Sequence, residues 1–143
     1  MPASRKRPQP KPADFIGTWR VRRKIVDYRA GTSSVFTGTA VITAESFEEK
    51  GQLTLNGAVF NSARAYRLRF GARSVEVSFP DGSEFILLGD GAVQATPHLC
   101  GRDDYAGRFF FADRDTWAEC WRVTGPQKRY ASVSRYTRLP AEV

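Results

Sequence analysis

The segment DFIGTWRVRRKIVDY, residues 14–28, decides the fold of this chain. Its apolar residues recur at every second position, and Arg20, Arg22 and Lys24 stand between them. Side chains of a β-strand alternate between two faces, whereas those of a helix repeat at a longer interval. We therefore predict a long strand on which a barrel begins and closes, with one face formed by Phe15, Gly17, Trp19, Val21, Arg23 and Ile25.

The same alternation continues in segments separated by turn sequences such as Asn56-Gly57 and Pro80-Asp81-Gly82. Short strands without a long helix indicate a sandwich or an up-and-down barrel, and the closed barrel removes exposed edges. We predict an all-β, antiparallel, up-and-down barrel of about 8–10 strands. The later strands are expected near residues 35–43, 47–55, 58–70, 75–79, 84–89, 92–100, 105–111, 117–124 and 129–139.

Some stretches fit this pattern less well. Residues 45–50 could form a short helical turn, and residues 92–100 are less regular because they contain Pro97. Thr116 and Glu119 have the spacing of a helical capping box, but the alternating apolar residues around them favour a strand. Residues 101–104 are predicted to form a loop.

The basic charge is concentrated at the N-terminus. The formal net charge is +7, and residues 1–12 hold four basic residues and no acid, which leaves +3 for the rest. Four of the eight prolines also lie in residues 1–13. We predict a disordered, flexible, basic Pro-rich arm at 1–13 and a single β-barrel domain at 14–140. Nucleic acid is an unlikely partner, because the folded part is only mildly basic.

No segment has the properties of a targeting or membrane sequence. The N-terminus is basic but lacks an apolar run, and the longest aliphatic run, Phe85 to Leu88, is too short to span a bilayer. We therefore expect a cytoplasmic protein that does not contact the membrane. Cys100 and Cys120 are expected to be free thiols in that compartment.

Gly17-x-Trp19 in the first strand and Arg138 near the end of the last strand carry a family likeness. The pair resembles the calycin pattern of lipocalins and fatty-acid-binding proteins. The resemblance implies a lipocalin-like barrel in which Trp19 closes the base and Arg138 packs across it.

A closer resemblance covers nearly the whole chain after the arm. The segments His98-x-Cys100-Gly101-x-Asp103-x-Tyr105 and Trp121-x-Val123-x-Gly125-Pro126-x-Lys128-x-Tyr130 are similar to those of the bacterial domain-of-unknown-function family 6314. Ile86 departs from the His that this resemblance implies after Phe85. The family implies a fold and no activity.

Arg23 is the first candidate functional residue. It shares a face with Trp19 and Val21, so its guanidinium would be buried and would need an acceptor. Glu49 is in phase with Phe47 and is a natural partner. The pair could be purely structural, or Arg23 could bind the carboxylate or phosphate of a ligand.

His98, Cys100, Asp103 and Tyr105 form the densest polar cluster in the sequence. They could contact a ligand at the barrel mouth, form an acid–base pair, or only fix an irregular loop. One His, one Cys and one Asp are too few for a zinc site, so we expect no metal. The motif around His98 does not match that of nitrobindin-type haem barrels, and no cofactor is expected.

The last strand presents a row of hydroxyl groups, which suits either a polar cavity wall or a wetted outer surface. Tyr136 in this row and Trp121 on the preceding strand complete the candidate ligand contacts. The three consecutive phenylalanines at 109–111 occupy both faces, so one of them could form a homodimer contact.

The leading functional hypothesis is a barrel that binds a small apolar molecule with an anionic or polar end, held by Arg23. A second hypothesis is a cofactor-free enzyme similar to phenolic acid decarboxylases, in which Arg23, Glu49 and Tyr105 orient the substrate and move a proton. A third is a nucleic-acid- or protein-binding module that uses the basic arm.

Overall fold

The structure of the protein is a computed structural model that describes residues 11–140. It contains ten antiparallel strands joined by short connections. A 3₁₀ helix, Pro12–Phe15, precedes them. The strands are β1 Gly17–Asp27, β2 Thr32–Ile42, β3 Ser46–Leu55, β4 Ala58–Phe70, β5 Val75–Ser78, β6 Glu84–Leu88, β7 Val93–Cys100, β8 Asp103–Phe111, β9 Thr116–Thr124 and β10 Arg129–Arg138. The predicted all-β, up-and-down architecture is confirmed.

The first and last strands meet, as an up-and-down barrel requires. β1 pairs with β2 on one side and with β10 on the other, in a register that runs from Trp19 opposite Arg138 to Asp27 opposite Tyr130. Strand alternation then turns Trp19, Val21 and Arg23 into the interior, where each is at most 9% exposed. The inward face predicted for the first strand is therefore present from Gly17 onward, whereas Phe15, which was predicted to belong to this strand, lies in the preceding 3₁₀ helix.

The barrel is nearly closed, with a seam between β6 and β7. These strands are the two edges of the sheet, and no backbone ladder joins them in the described residues. Side chains bridge the seam instead. The rings of Phe85 and His98 meet edge to face at 5.0 Å, and the Gly89 amide donates to Gln94 Oε1 at 3.3 Å.

Several local predictions need correction. Residues 93–100 form a regular strand despite Pro97, because β7 is an edge strand and one of its sides has no ladder to break. Residues 46–50 are strand rather than helix, and β8 begins at Asp103, inside the predicted loop. The Asn56-Gly57 hairpin is confirmed, since both residues have the positive φ that this turn needs.

The N-terminal boundary also differs from the prediction. Pro12 is buried within the 3₁₀ helix, so residues 12 and 13 belong to the fold rather than to the arm. Residues 1–10 lie outside the described part, and the arm there stays a prediction. Within residues 11–140, no helix is long and apolar enough to cross a membrane.

Arg138 lies across Trp19 at the base of the barrel. Its Cζ is 4.3 Å from the ring centre of Trp19, and its guanidinium donates to the Ile16 carbonyl at 3.1 Å and to Asp115 Oδ1 at 3.1 Å. Gly17 makes room for this arrangement. It has φ +148°, and a Cβ there would lie 2.6 Å from Arg138 Nη1.

Gly17→Ala should therefore lower the free energy of unfolding by roughly 2–4 kcal/mol, because it strains the backbone and displaces Arg138. Urea unfolding measures the effect. Gly31→Ala is the matched control, since Gly31 also has positive φ (+68°) but has no atom within 4 Å of the added Cβ. It should cost about 1 kcal/mol. Equal losses in the two variants would contradict the proposed role of Gly17.

Candidate functional site

The interior contains a cavity of about 90 Å³ that is partly open to solvent. Its wall consists of inward-facing side chains of the strands together with side chains of the 3₁₀ helix, and it is mostly apolar. Its charged members are Arg64 on β4 and Glu119 on β9. Apolar side chains that define its shape include Phe15, Phe47, Val77, Phe85, Phe109 and Phe111.

Behind this cavity, Arg23 binds Glu49 in a two-pronged ion pair. Arg23 Nη1 donates to Glu49 Oε1 at 2.7 Å, and Nη2 donates to Oε2 at 2.9 Å. The Nε of Arg23 donates to Ser134 Oγ at 2.6 Å. The Arg23–Glu49 contact predicted from the sequence is therefore present, and both partners are buried.

Arg64 extends the pair into a larger network. Its Nε donates to Glu49 Oε1 at 3.2 Å, and its Nη2 donates to Glu119 Oε1. Tyr136 accepts from Arg64 Nη2 at 2.7 Å and donates to Glu119 Oε1 at 2.6 Å. Trp121 Nε1 donates to Glu119 Oε2 at 3.1 Å. Side chains from β1, β3, β4, β9 and β10 thus converge on one polar cluster.

The charges within the network stabilise each other. Burial disfavours the ionised form of Glu119, but the guanidiniums of Arg64 and Arg23 outweigh it and lower the pKa from 4.5 to about 2. Burial is also the main reason that the pKa of Tyr136 is raised well above its usual value. At neutral pH Glu119 is therefore a carboxylate beside two guanidiniums, and Tyr136 is a neutral phenol.

Contacts in the structure link three members of the predicted cluster around His98, namely His98, Tyr105 and Asp103. The His98 ring packs within 6.0 Å of the Tyr105 ring, on the inner side of the seam. Lys128 Nζ lies 3.4 Å from the Tyr105 hydroxyl oxygen and 3.5 Å from Asp103 Oδ2. Cys100 is exposed. No group of three or more metal-ligating side chains occurs within residues 11–140.

The other predicted ligand contacts lie inside the barrel. Tyr136 and Trp121 join the buried network, so the hydroxyl row of β10 is an inner wall rather than a wetted surface: Ser134 and Tyr136 are at most 1% exposed. Phe110 is the exposed member of the three phenylalanines, at 38%. Both cysteines are free.

Sequence reasoning missed Arg64, Glu119 and Trp117 as site residues. Their signal was visible: Arg64 is in phase with Tyr66 and Leu68, and Glu119 with Trp117 and Trp121. What the sequence lacked was the pairing across the barrel, because β4 and β9 are not neighbours in the sheet.

Trp117 has an unusual environment. Its ring stacks on Tyr136 with centroids 3.7 Å apart and planes at 2°. It lines the cavity, yet its buried Nε1 has no hydrogen-bond partner in the described chain. A buried donor without an acceptor costs about 1–3 kcal/mol, so such a group calls for an explanation.

Glu119→Gln should lower the free energy of unfolding at pH 7 by about 3–5 kcal/mol, because it leaves one buried carboxylate to balance two guanidiniums. In the wild type, the stabilisation from Glu119 is present above pH 4.5 and is lost as pH falls through about 2. In the variant, the free energy of unfolding should no longer contain this contribution, so it should fall less steeply between pH 4.5 and pH 2. Urea unfolding between pH 7 and pH 2 measures both effects.

Glu48→Gln is the matched control, because Glu48 is exposed on the outer face of β3. It should change stability at pH 7 by no more than about 0.5 kcal/mol. If Glu119→Gln were equally mild, the ion pairs of Glu119 would not stabilise the fold.

Comparison with known proteins identifies the fold. The sequence model of a family of unknown function, DUF6314, matches residues 15–138. No curated protein matches the chain. The S-type phycobiliprotein lyase CPES from Guillardia theta is similar in structure, with a TM-score of 0.60 and 14% identity over 91% of each chain.

A protein of unknown function from the DUF3598 family of Nostoc punctiforme has a TM-score of 0.58 and 13% identity. That match covers 96% of this chain and 53% of the other, so this chain spans about half the length of that protein. At these identities, the two likenesses establish a calycin-like barrel fold and leave the activity to be argued from the site.

Proposed function

The chain belongs to DUF6314, a family of unknown function, and we propose that it binds a small, mainly apolar molecule inside the barrel. The ligand would lie among the aromatic side chains of the cavity, with its polar end against Arg64 and Glu119. The observation that carries this proposal is an apolar cavity with a hydrogen-bonded polar wall on one side.

The polar wall is preorganised. Arg64 and Glu119 are held by Glu49, Tyr136 and Trp121, so a ligand would not have to order them on binding. Arg64 keeps donor capacity, because its Nη1 makes one long contact of 3.5 Å, to Tyr66, in the described chain.

The cavity volume limits the size of the ligand. At about 90 Å³ it is smaller than the roughly 150 Å³ of an engineered cavity that holds benzene. It is also below the roughly 300 Å³ of ordinary ligand pockets. A single ring with a short substituent, partly extending through the open side, is the size that this conformation favours. A larger ligand would require the β6–β7 seam to open.

The predicted contacts take different parts in this proposal. Arg23, Glu49, Trp121 and Tyr136 position Arg64 and Glu119 rather than meeting the ligand themselves. His98 lies behind Phe85 at the seam. Cys100 and Asp103 have no part in it.

The other two hypotheses receive less support. The enzyme hypothesis requires the side chains of Arg23, Glu49 and Tyr105 to lie together. The hydroxyl of Tyr105 instead contacts Lys128, with the oxygen 3.4 Å from Nζ. Tyr136 occupies the place beside Arg23 and Glu49. The third hypothesis, a nucleic-acid- or protein-binding module, depends on the basic arm, and most of the arm lies outside the described residues.

Fluorobenzene, an uncharged ring, is the probe that tests the cavity, with ¹⁹F NMR as the measurement. The wild type should bind it, and Val77→Phe should weaken binding at least about tenfold by filling the space. Val77 lines the cavity and is 8% exposed.

Val133→Phe provides the control, since Val133 is 46% exposed on the outside of β10. This variant should bind fluorobenzene like the wild type, and circular dichroism should show that both variants are folded. The proposal fails if the wild type does not bind the probe, or if a folded Val77→Phe binds it unchanged.

A further inference from the structure

Positive charge is concentrated on one face of the barrel. This basic face comprises the outward side chains of β1, β10, β9 and β8, four strands that are consecutive in the sheet. Its central cations are all exposed, and they are Arg20, Arg22 and Lys24 on β1, Arg135 on β10, Arg122 on β9 and Arg108 on β8. At one end of these strands, Arg129 and Asp104 lie on either side of Thr124 and offset each other.

The rest of the folded chain has the opposite charge. Asp104 is the only acid at an outward position of the four strands, so the basic face carries a net charge of +6. The residues after position 12 carry +3 in total, which leaves −3 for all the others. The average charge of the folded part therefore understates how basic this face is.

The cations of the basic face have no partners of opposite charge in the described chain. None of the six forms an ion pair within residues 11–140. Arg22 and Arg135 lie directly opposite each other on paired strands, a placement in which like charges repel. An anionic partner would relieve this repulsion, and it would find the guanidiniums free to bind.

The shape of the basic face favours an extended partner over a small anion. The outside of a barrel is convex, so neighbouring side chains diverge and cannot surround one small molecule. Lys24 and Arg108 lie in the same row across the sheet, three strand spacings apart. At the usual strand spacing this is about 14 Å. The charges are therefore spread as an extended anionic surface requires.

Exposed apolar side chains lie among these cations. One continuous row across the sheet consists of Val93, Phe110, Ala118, Arg135 and Arg22. In the next row, Val133 lies opposite Lys24. Val93, Phe110 and Val133 are 63%, 38% and 46% exposed. A phosphate backbone offers such groups nothing to pack against, whereas the interface of a membrane takes up both cations and apolar side chains.

We propose that the basic face binds the surface of an anionic phospholipid membrane. The cations meet the negatively charged lipid headgroups, and Val93, Phe110 and Val133 enter the boundary between headgroups and acyl chains. The sequence-based expectation of no membrane contact rested on the lack of a spanning segment, and contact at the surface requires none. This contact is independent of any ligand in the cavity.

Sedimentation of the full chain with phospholipid vesicles tests the proposal. Vesicles of phosphatidylcholine with roughly one-third phosphatidylserine should bind the wild type at least about tenfold more tightly than vesicles of phosphatidylcholine alone. Raising the salt concentration from about 0.05 M to about 0.5 M should release most of the bound protein, because salt screens exposed charges.

Arg22→Gln combined with Arg135→Gln removes two adjacent cations from the basic face. Each basic side chain near an anionic surface contributes about fivefold in affinity, so this double variant should bind the phosphatidylserine vesicles roughly thirtyfold more weakly. Arg67→Gln combined with Arg69→Gln is the matched control. These side chains are exposed on the outside of β4, and their replacement changes the net charge equally. The control should stay within about threefold of the wild type.

Val133→Ser tests the apolar part of the contact. It should weaken binding to the phosphatidylserine vesicles about threefold, because less apolar surface enters the interface. Val59→Ser is its control, since Val59 is 58% exposed but lies on β4, away from the basic face. This control should bind like the wild type, and circular dichroism should show that all four variants are folded.

Several results would overturn the proposal: no binding to the phosphatidylserine vesicles, equal binding to both kinds of vesicle, or equal losses in the two double variants. A folded Val133→Ser that binds like the wild type would also overturn it. So would tighter binding of a short DNA duplex than of the vesicles at the same salt concentration, which would identify nucleic acid as the partner. Fluorobenzene should bind the Arg22→Gln, Arg135→Gln variant like the wild type, so this test and the test of the cavity are decided separately.

Discussion

Two guanidiniums and two carboxylates, held within the barrel, are the interaction on which the rest of the structure depends. A single buried ion would be costly, but here each charge is paired, and Ser134 and Tyr136 accept further hydrogen bonds from the guanidiniums. The contact between Arg64 on β4 and Glu119 on β9 matters most, because these strands lie on different sides of the sheet order. It joins two strands that do not pair directly in the backbone ladder of the sheet.

This link explains how a barrel with an open seam keeps its shape. The backbone ladder stops at β6 and β7, so closure there depends on side chains. The network ties the two halves together inside, and rings such as Phe85 and His98 cover the seam. The same arrangement leaves an apolar cavity on one side of the polar cluster. Stability and the candidate site therefore arise from one set of residues.

The sequence predicted what depends on local alternation and could not predict what depends on pairing across the barrel. The period of two in β1 placed Arg23 inside and made Glu49 its partner, and both are found so. Arg64 and Glu119 belong to strands far apart in sequence, so only the closed barrel brings them together. His98 and Cys100 show the opposite error: they are close in sequence, but Cys100 lies at the exposed end of an edge strand.

A double-mutant cycle on Arg64 and Glu119 tests the central claim most directly, with Arg64→Met, Glu119→Met and the double variant compared by urea unfolding at pH 7. Each single change leaves the buried cluster with one uncompensated charge and should cost about 3–5 kcal/mol, whereas the double variant should lose much less than their sum. A coupling energy above about 2 kcal/mol is the predicted result. Additive losses would contradict the account, because they would mean that the two side chains do not stabilise each other across the barrel.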